Sequence, residues 1–125
     1  PRLRKISAAC HASECFHLFA SDGDLWPVAE DLFGQSGVDG FYEVDRNFMA
    51  VPELRERFPD LVLLGGIRSE VLHTGSVEDV RSEAESAVEY AREAGGCIVG
   101  CSNYIVTGTP EVNFWTMMEE LEKNR

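Results

Sequence analysis

Positive charge is scarce in this sequence, and so are long apolar runs. The 125 residues include 11 lysines and arginines against 22 aspartates and glutamates, a formal charge of −11, and basic residues cluster only in residues 2–5. A nucleic-acid partner and an anionic membrane surface are therefore not expected. The longest apolar runs, such as residues 61–67, fall far short of the ~20 residues of a membrane helix, and no apolar segment follows Lys5 as in a signal peptide. With 44 % apolar residues, the composition predicts a folded, soluble, acidic domain of the cytoplasm.

Cysteine is too sparse for a disulfide scaffold, in which it usually exceeds ~8–10 % of the residues. The chain has four cysteines, Cys10, Cys15, Cys97 and Cys101. Cys97 and Cys101 fall at the two ends of one predicted strand, ~13 Å apart at ~3.3 Å per residue, whereas a disulfide needs Cα atoms within ~7 Å. The cysteines are therefore predicted to be reduced and structural.

Signatures of metal and nucleotide chemistry are also missing. His11 and His17 lie near Cys10 and Cys15, but His17 falls inside a predicted strand, unlike the closely spaced, loop-borne ligands of zinc sites. The sequence contains no P-loop, no dinucleotide-binding glycine motif and no nucleophile elbow. We therefore expect neither a metal nor another cofactor.

Short apolar segments alternate with helical patterns along the chain. The predicted strands are residues 15–21, 40–45, 61–67 and 97–101, and the predicted helices are residues 25–35, 52–58, 76–94 and a last helix that begins at Pro110. The long helix has Ser76 as its N-cap, Asp79 at the capping-box position and Gly95 at its end. The last helix is predicted to turn one apolar face towards the core, made of Val112, Trp115, Met118 and Leu121.

A strand–helix unit repeated four times predicts an α/β fold with a parallel sheet and right-handed crossovers. Four such units make half of a (β/α)8 barrel, which typically needs ~250 residues. An open flavodoxin-like sheet is the competing fold, but only residues 76–94 offer a long helix to cover its two faces. We therefore predict one partial domain over residues 1–125, the C-terminal half of a TIM-type barrel, with residues 1–14 as a lead-in segment. Because such a half has two unpaired edge strands, we expect it to pair with a second copy or with the N-terminal half of the barrel.

Polar residues follow each predicted strand, at the sheet edge where parallel α/β folds bind their ligands. Charged residues are unusually frequent there, given how apolar the strands are. We predict that six of these side chains contact a small-molecule substrate: Ser21, Asp22, Asp45, Arg68, Ser102 and Asn103. No residue is assigned as the catalytic group.

Seven short motifs occur in an order and at spacings that resemble a known family. They are SDGDLW (21–26), GVDG (37–40), LRERF (54–58), LGGI (64–67), LxxGxxEDV (72–80), GG (95–96) and PEVN (110–113). Together they resemble the C-terminal part of the uroporphyrinogen decarboxylase superfamily over about residues 16–122. The resemblance implies a (β/α)8 barrel, and a group that contains cofactor-free decarboxylases of porphyrinogen acetate arms and cobalamin-linked methyltransferases.

The chain departs from this family pattern at the candidate contacts. Asn103 stands where the decarboxylases carry a histidine, and Arg68 ends a turn that carries an acid in the family. Ser21 is the nearest match to a serine that contacts substrate in the decarboxylases. The thiol-activating methyltransferases use a His-x-Cys zinc pair, where this chain has Ala-Ser-Asp at 20–22, and Cys101 is about two positions out of register with their third ligand. The resemblance therefore disfavours zinc-dependent methyl transfer.

The resemblance implies an enzyme. We expect a divergent decarboxylase-like one, which acts on a porphyrinogen-type or related polycarboxylate at the carboxyl ends of the strands. Two alternatives stay open: a methyltransferase of the same superfamily that acts with a corrinoid protein, and a non-catalytic half-barrel. The chain begins with Pro1 rather than methionine, so we expect it to be a piece of a longer reading frame that holds the remaining catalytic residues.

Overall fold

Five helices and four strands form in the computed structural model, which describes residues 2–124. The helices are α1 (Arg2–Ala12), α2 (Val51–Arg57), α3 (Ser69–Thr74), α4 (Val77–Ala94) and α5 (Glu111–Lys123), and the strands are β1 (Leu18–Ala20), β2 (Gly40–Val44), β3 (Val62–Ile67) and β4 (Cys97–Cys101). Between β1 and β2 the chain forms a 3-10 turn at Trp26–Val28 and a π-helical turn at Glu30–Gly34, where the sequence predicts a single helix. Within residues 2–124 no helix is long and apolar enough to cross a membrane.

The four strands form one parallel sheet in the order β1-β2-β3-β4. Phe41 of β2 pairs with Phe19 of β1 and with Leu63 of β3, and Leu63 pairs in turn with Cys97 of β4. This sequential, parallel order is the one that consecutive βα units have in a barrel. The predicted α/β fold of four βα units is confirmed.

Helix α4 has the ends that the sequence predicts. Ser76 Oγ accepts a hydrogen bond from Asp79 N at 3.2 Å, and Asp79 Oδ2 accepts one from Ser76 N at 2.8 Å, so the capping box closes. At the other end Gly95 has φ 64°, a left-handed conformation that favours glycine. Val80 and Ala84 of its apolar stripe are fully buried. Helix α4 thereby covers β3 and β4 with its first turns close to the carboxyl ends of the strands.

One face of the sheet packs against helices and the other face is open. Phe41 and Ile67 point into the helical layer and are 0 % exposed. Leu18, Tyr42 and Ile98 project from the opposite face and are 48 %, 37 % and 58 % exposed. In a closed barrel this second face lines the interior. The four βα units described here therefore leave apolar surface uncovered.

Residues 2–12 form helix α1, where the sequence predicts only a lead-in segment. Ser7 Oγ lies 2.8 Å from His17 Nδ1, and His11 Nε2 lies 2.9 Å from Asp39 Oδ2, so α1 is held at the amino ends of β1 and β2. Both histidines serve in hydrogen bonds of the fold. The sequence does not predict this helix, because α1 buries only Ser7 and carries no strong apolar stripe.

Helix α5 turns a different face inward from the one that the sequence predicts: the prediction is wrong for Val112, Trp115 and Met118, whereas Leu121 does pack against the core. Val112, Trp115 and Met118 are 56 %, 54 % and 41 % exposed, whereas Thr116 and Met117 are buried. The buried face is therefore offset by one to two residues from the apolar face. A helix that exposes its apolar face in this way normally has a further partner.

Polar contacts explain this orientation of α5. The buried Asn113 donates a hydrogen bond from Nδ2 to Leu72 O at 3.0 Å. Farther along the helix, the buried Glu120 forms ion pairs with Arg81 of α4 and with Lys123 Nζ, the latter at 2.7 Å. Buried polar groups need such partners, and a count of apolar residues at helical spacing does not show them.

Candidate functional site

A cavity of about 330 Å³ opens at the carboxyl ends of the four strands. The loop after each strand contributes to its lining, which consists of Asp22, Asp45, Asn47, Arg68, Ser69, Glu70, Ser102, Asn103, Tyr104 and Val106. The structure thus brings together five of the six side chains predicted to contact substrate: Asp22, Asp45, Arg68, Ser102 and Asn103. Their role in binding substrate stays a prediction.

Ser21 is the predicted contact that does not line this cavity. Its backbone N donates to Tyr42 O at 3.4 Å, and its Oγ lies 3.4 Å from Asp22 O. Side chains alternate across a strand. Since Ala20 lies on the open face with Leu18, alternation places Ser21 on the opposite side, and Asp22 reaches the cavity instead.

A bulge in β2 brings Asp45 to the cavity. The register of β2 against β3 shifts between Tyr42 and Val44, and the residue between them, Glu43, has φ 72°. A bulge inserts one residue into the alternation of a strand. Val44 therefore shares the buried face with Phe41, and Asp45 follows on the cavity side. Such a strained, non-glycine position at the end of a strand is typical of a functional site.

The turn after Asp45 is closed by its own carboxylate. Asp45 Oδ1 accepts a hydrogen bond from Asn47 N at 2.9 Å, and Asp45 O accepts one from Phe48 N at 3.0 Å. This arrangement is an Asx turn. It fixes the direction in which Asp45 and Asn47 enter the cavity.

Ser102 lies close to the chain of β3 because Gly65 has no side chain. Gly65 has φ +121°, and a Cβ built on it would lie 3.2 Å from Ser102 Cα and 3.3 Å from Val44 N. The backbone N of Ser102 donates to Ile67 O at 2.7 Å, and Ser102 is buried. Beside it, Asn103 Oδ1 accepts a hydrogen bond from Tyr104 N at 2.7 Å.

Arg68 is held by Glu83 of α4 in a two-pronged ion pair. Arg68 Nε donates to Glu83 Oε1 and Arg68 Nη2 donates to Glu83 Oε2, both at 2.8 Å. A second arginine, Arg46, lies 4.0 Å from Glu83 Oε1. Burial alone would raise the pKa of Glu83, but the hydrogen bonds and charge of Arg68, with the charge of Arg46, hold that pKa below its usual value. The remaining nitrogen of the Arg68 guanidinium, Nη1, lies at the cavity and donates a hydrogen bond to Asn47 Oδ1 at 3.3 Å.

Glu83 is not among the predicted site residues, although its position in the sequence carries a signal for its role. Glu83 lies three residues after Val80 and four before Ala87, and both of these residues belong to the buried stripe of α4. An acidic residue on such a stripe is rarely buried without a partner. That position indicates a buried ion pair, but it does not identify Arg68 as the partner.

The charges around the cavity are mainly negative. Asp22, Asp45 and Glu70 carry negative charge, whereas Arg68 carries the positive charge of the lining and is ion-paired with Glu83, which Arg46 also approaches. A polycarboxylate needs arginines or helix N-termini that are free to bind its anionic groups. The lining described here therefore argues against the polycarboxylate substrate that the sequence led us to expect.

The residues near this cavity do not fit a zinc ion of the thiol-activating kind. Among residues 2–124, no three His, Cys, Asp or Glu side chains come together as a metal site. Cys101 packs with the cluster around Ile67 and Leu72, and its Sγ lies 3.2 Å from Ser69 Oγ. A ligand set with soft or imidazole donors, as zinc prefers, is not assembled by this part of the chain. The cysteines are free, as predicted.

Comparison with known proteins supports the fold. No family model matches the chain, and no curated protein matches it. A solved methyltransferase from Methanosarcina mazei is similar in structure, with a TM-score of 0.72 and 21 % sequence identity over 98 % of this chain. The match covers 34 % of that larger chain, so this protein spans about a third of its length. The four parallel βα units described here are those of a (β/α)8-type barrel.

Proposed function

We propose that the chain forms the substrate-binding wall of a barrel methyltransferase that acts with a corrinoid protein on a small methylated molecule. The observation that carries this proposal is the cavity formed by all four strand ends, on a fold shared with a methyltransferase. Cavities at this end of the strands are where barrel enzymes bind their substrates. The negative lining favours this alternative over a porphyrinogen decarboxylase.

The residues of the chain bind and orient the substrate. Ser102 and Asn103, after β4, offer a hydroxyl and an amide for hydrogen bonds to a polar substrate group. Arg68 orients Asn47 through its Nη1 hydrogen bond and is itself fixed by Glu83. The corrinoid, carried by its own protein, supplies the chemistry of the methyl group, and no residue of this chain is assigned to it.

The test of this function is a methyl-transfer assay on the full chain that contains these residues. Cob(I)alamin and a set of methylated small molecules are mixed with the protein, and formation of methylcobalamin is followed by absorbance. Ser102→Ala is expected to lower the rate by about tenfold, since it removes one substrate hydrogen bond. Glu89→Gln, on the exposed side of α4, is the control and is expected to leave the rate unchanged.

Two outcomes would contradict the proposal. Release of carbon dioxide from a porphyrinogen without methyl transfer would show that the chain belongs to a decarboxylase instead. Absence of both activities in a folded protein would favour the third interpretation, a non-catalytic half-barrel.

We further propose that additional barrel strands, from a second copy or from the other half of a barrel, cover the open face and the free edge of β4. A groove of about 590 Å³ follows the free edge of β4 and is lined by Ile98 and by residues of α4 and α5, such as Val88 and Met118. The 125-residue chain on its own is therefore expected to self-associate in sedimentation experiments. Ile98→Glu should raise the concentration needed for association by at least about tenfold, because it places a charge in the contact.

Val28→Glu is the matched control for this prediction. Val28 is 50 % exposed, similar to Ile98, but lies in the turn Trp26–Val28 away from β4. A monodisperse wild-type monomer, or an equal effect of both substitutions, would show that the open face does not associate.

A further inference from the structure

Acidic residues surround the candidate cavity at three separate positions. Asp22 follows β1, Asp45 follows β2, and Glu70 lies in the first turn of α3. The guanidinium of Arg68 is bound by both carboxylate oxygens of Glu83. Three carboxylates and one ion-paired guanidinium give the lining a net negative charge.

A hydroxyl in the wall of the same cavity has no hydrogen-bond partner within the described part of the chain. Ser102 is 6 % exposed and lines the cavity, and no residue among 2–124 forms a hydrogen bond with its Oγ. Among residues 2–124 the buried polar atoms that lack a partner are Arg55 Nε and the Tyr90 hydroxyl, so Ser102 Oγ is open to the cavity. The Oγ of Ser102 is thus free to accept a hydrogen bond from an N–H group of a bound molecule.

The arrangement of the carboxylates suits a large cation better than a metal ion. Within residues 2–124 no three His, Cys, Asp or Glu side chains come together as a metal site. The carboxylates are instead spread around a cavity of about 330 Å³, large enough for a small organic molecule. Tyr104, which is 75 % exposed, adds an aromatic ring to the lining. Aromatic rings attract alkylated ammonium groups through their negative faces.

We propose that this cavity binds the ammonium group of a small alkylated amine. Asp22 and Glu70 attract the cation, Ser102 Oγ accepts its N–H, and the ring of Tyr104 contacts its alkyl groups. The inference rests on the proposed function, because it names the substrate class for the same cavity. It differs from the polycarboxylate expectation in the sign of the charge that is recognised.

The test compares four probes that differ in charge and in hydrogen-bonding groups. Trimethylammonium, tetramethylammonium, tert-butanol and citrate are titrated into the full chain, and binding is followed by NMR chemical shifts. Trimethylammonium is expected to bind at least about tenfold more tightly than the neutral tert-butanol, by an amount that decreases as salt is added. Equal affinity for these two probes, or tighter binding of citrate, would overturn the proposal.

Single substitutions assign the binding to the named residues. Asp22→Asn and Glu70→Gln are each expected to weaken trimethylammonium binding about fivefold, because each removes one unit of negative charge from the cavity. Ser102→Ala should weaken trimethylammonium, which has an N–H, and leave tetramethylammonium, which has none. Glu89→Gln removes the same charge from the exposed side of α4 and is the control. If the control weakens binding as much as the cavity variants do, net charge is responsible and the proposal is wrong.

The binding test and the methyl-transfer assay can fail separately. Methyl transfer from a neutral substrate, without binding of ammonium probes, would overturn only the cation inference. Ammonium binding that depends on Asp22, Glu70 and Ser102, without methyl transfer, would overturn only the proposed function.

Discussion

Gly65→Ala is expected to destabilise the fold by roughly 3 kcal/mol. Two costs combine at this position. Gly65 has φ +121°, a conformation that side-chain-bearing residues rarely adopt. The new Cβ would also lie 3.2 Å from Ser102 Cα and 3.3 Å from Val44 N, and both are backbone atoms that have little freedom to move.

Gly100→Ala is the matched control in the adjacent strand. A Cβ at Gly100 has no atom within 4 Å, and Gly100 pairs with Gly66 in the same sheet. We expect this variant to stay within about 0.5 kcal/mol of the wild type, with a small gain possible through reduced entropy of the unfolded chain. The measurement is the free energy of unfolding from urea titrations. Equal losses for the two variants would show that neither the backbone conformation nor the close approach matters at Gly65.

The close approach at Gly65 also concerns the cavity. A backbone shift that makes room for a methyl group at Gly65 would move Ser102, and Ser102 lines the candidate cavity. Gly65 and Gly66 lie in the strand predicted for residues 61–67, and no chemistry is predicted for them. The structure shows that Gly65 has an indirect role, since it allows β4 to continue into the loop that carries Ser102 and Asn103.

Much of the fold follows from local sequence signals. Ser76, Asp79 and Gly95 mark the ends of α4 because caps and stops act on adjacent backbone groups. The continuous apolar run of β3 marks a strand with two apolar faces, of which the helices cover one. Because parallel strands end at one edge, the order of the strands alone places Asp22, Asp45, Arg68, Ser102 and Asn103 near one another.

Other features depend on contacts between distant residues and cannot be derived from periodicity. The bulge at Glu43 changes which side of the sheet Asp45 faces, and nothing in the residue types around it marks the insertion. The orientation of α5 is set by Asn113 and Glu120, whose partners lie on α3 and α4. Apolar spacing therefore predicted the wrong face, because buried polar groups with partners outweighed it.

Replacing Glu83 by glutamine is expected to remove roughly 2 kcal/mol from the free energy of unfolding at neutral pH. The substitution keeps the size of the side chain but leaves Arg68 and Arg46 without their shared carboxylate. Breaking a fully buried pair costs more, but the side chains of Arg68 and Arg46 are 36 % and 33 % exposed, so water partly compensates them. Glu85→Gln, on the exposed side of α4, is the control and should cost little.

The dependence of this loss on pH separates the ion pair from packing. The pKa of Glu83 is below its usual value in the folded chain, because the pairing with Arg68 and Arg46 outweighs the effect of burial. Its stabilisation is therefore fully present above the pKa of the unfolded chain, about 4.3, and is lost as the pH falls through the folded value. The difference between wild type and Glu83→Gln should shrink on acidification below about pH 4. A difference that stays constant with pH would mean that the carboxylate contributes shape rather than charge.

The same substitution also changes what the cavity can bind. With glutamine at position 83, the guanidinium of Arg68 loses its paired carboxylate but keeps its positive charge, and its Nη1 already reaches the cavity beside Asn47. Binding of trimethylammonium should then weaken by about fivefold, through the added positive charge, while Glu85→Gln leaves it unchanged. Retention of cation binding in a folded Glu83→Gln protein would show that Arg68 does not influence the ligand. Glu83, although it does not line the cavity, is thus expected to strengthen cation binding by pairing with Arg68.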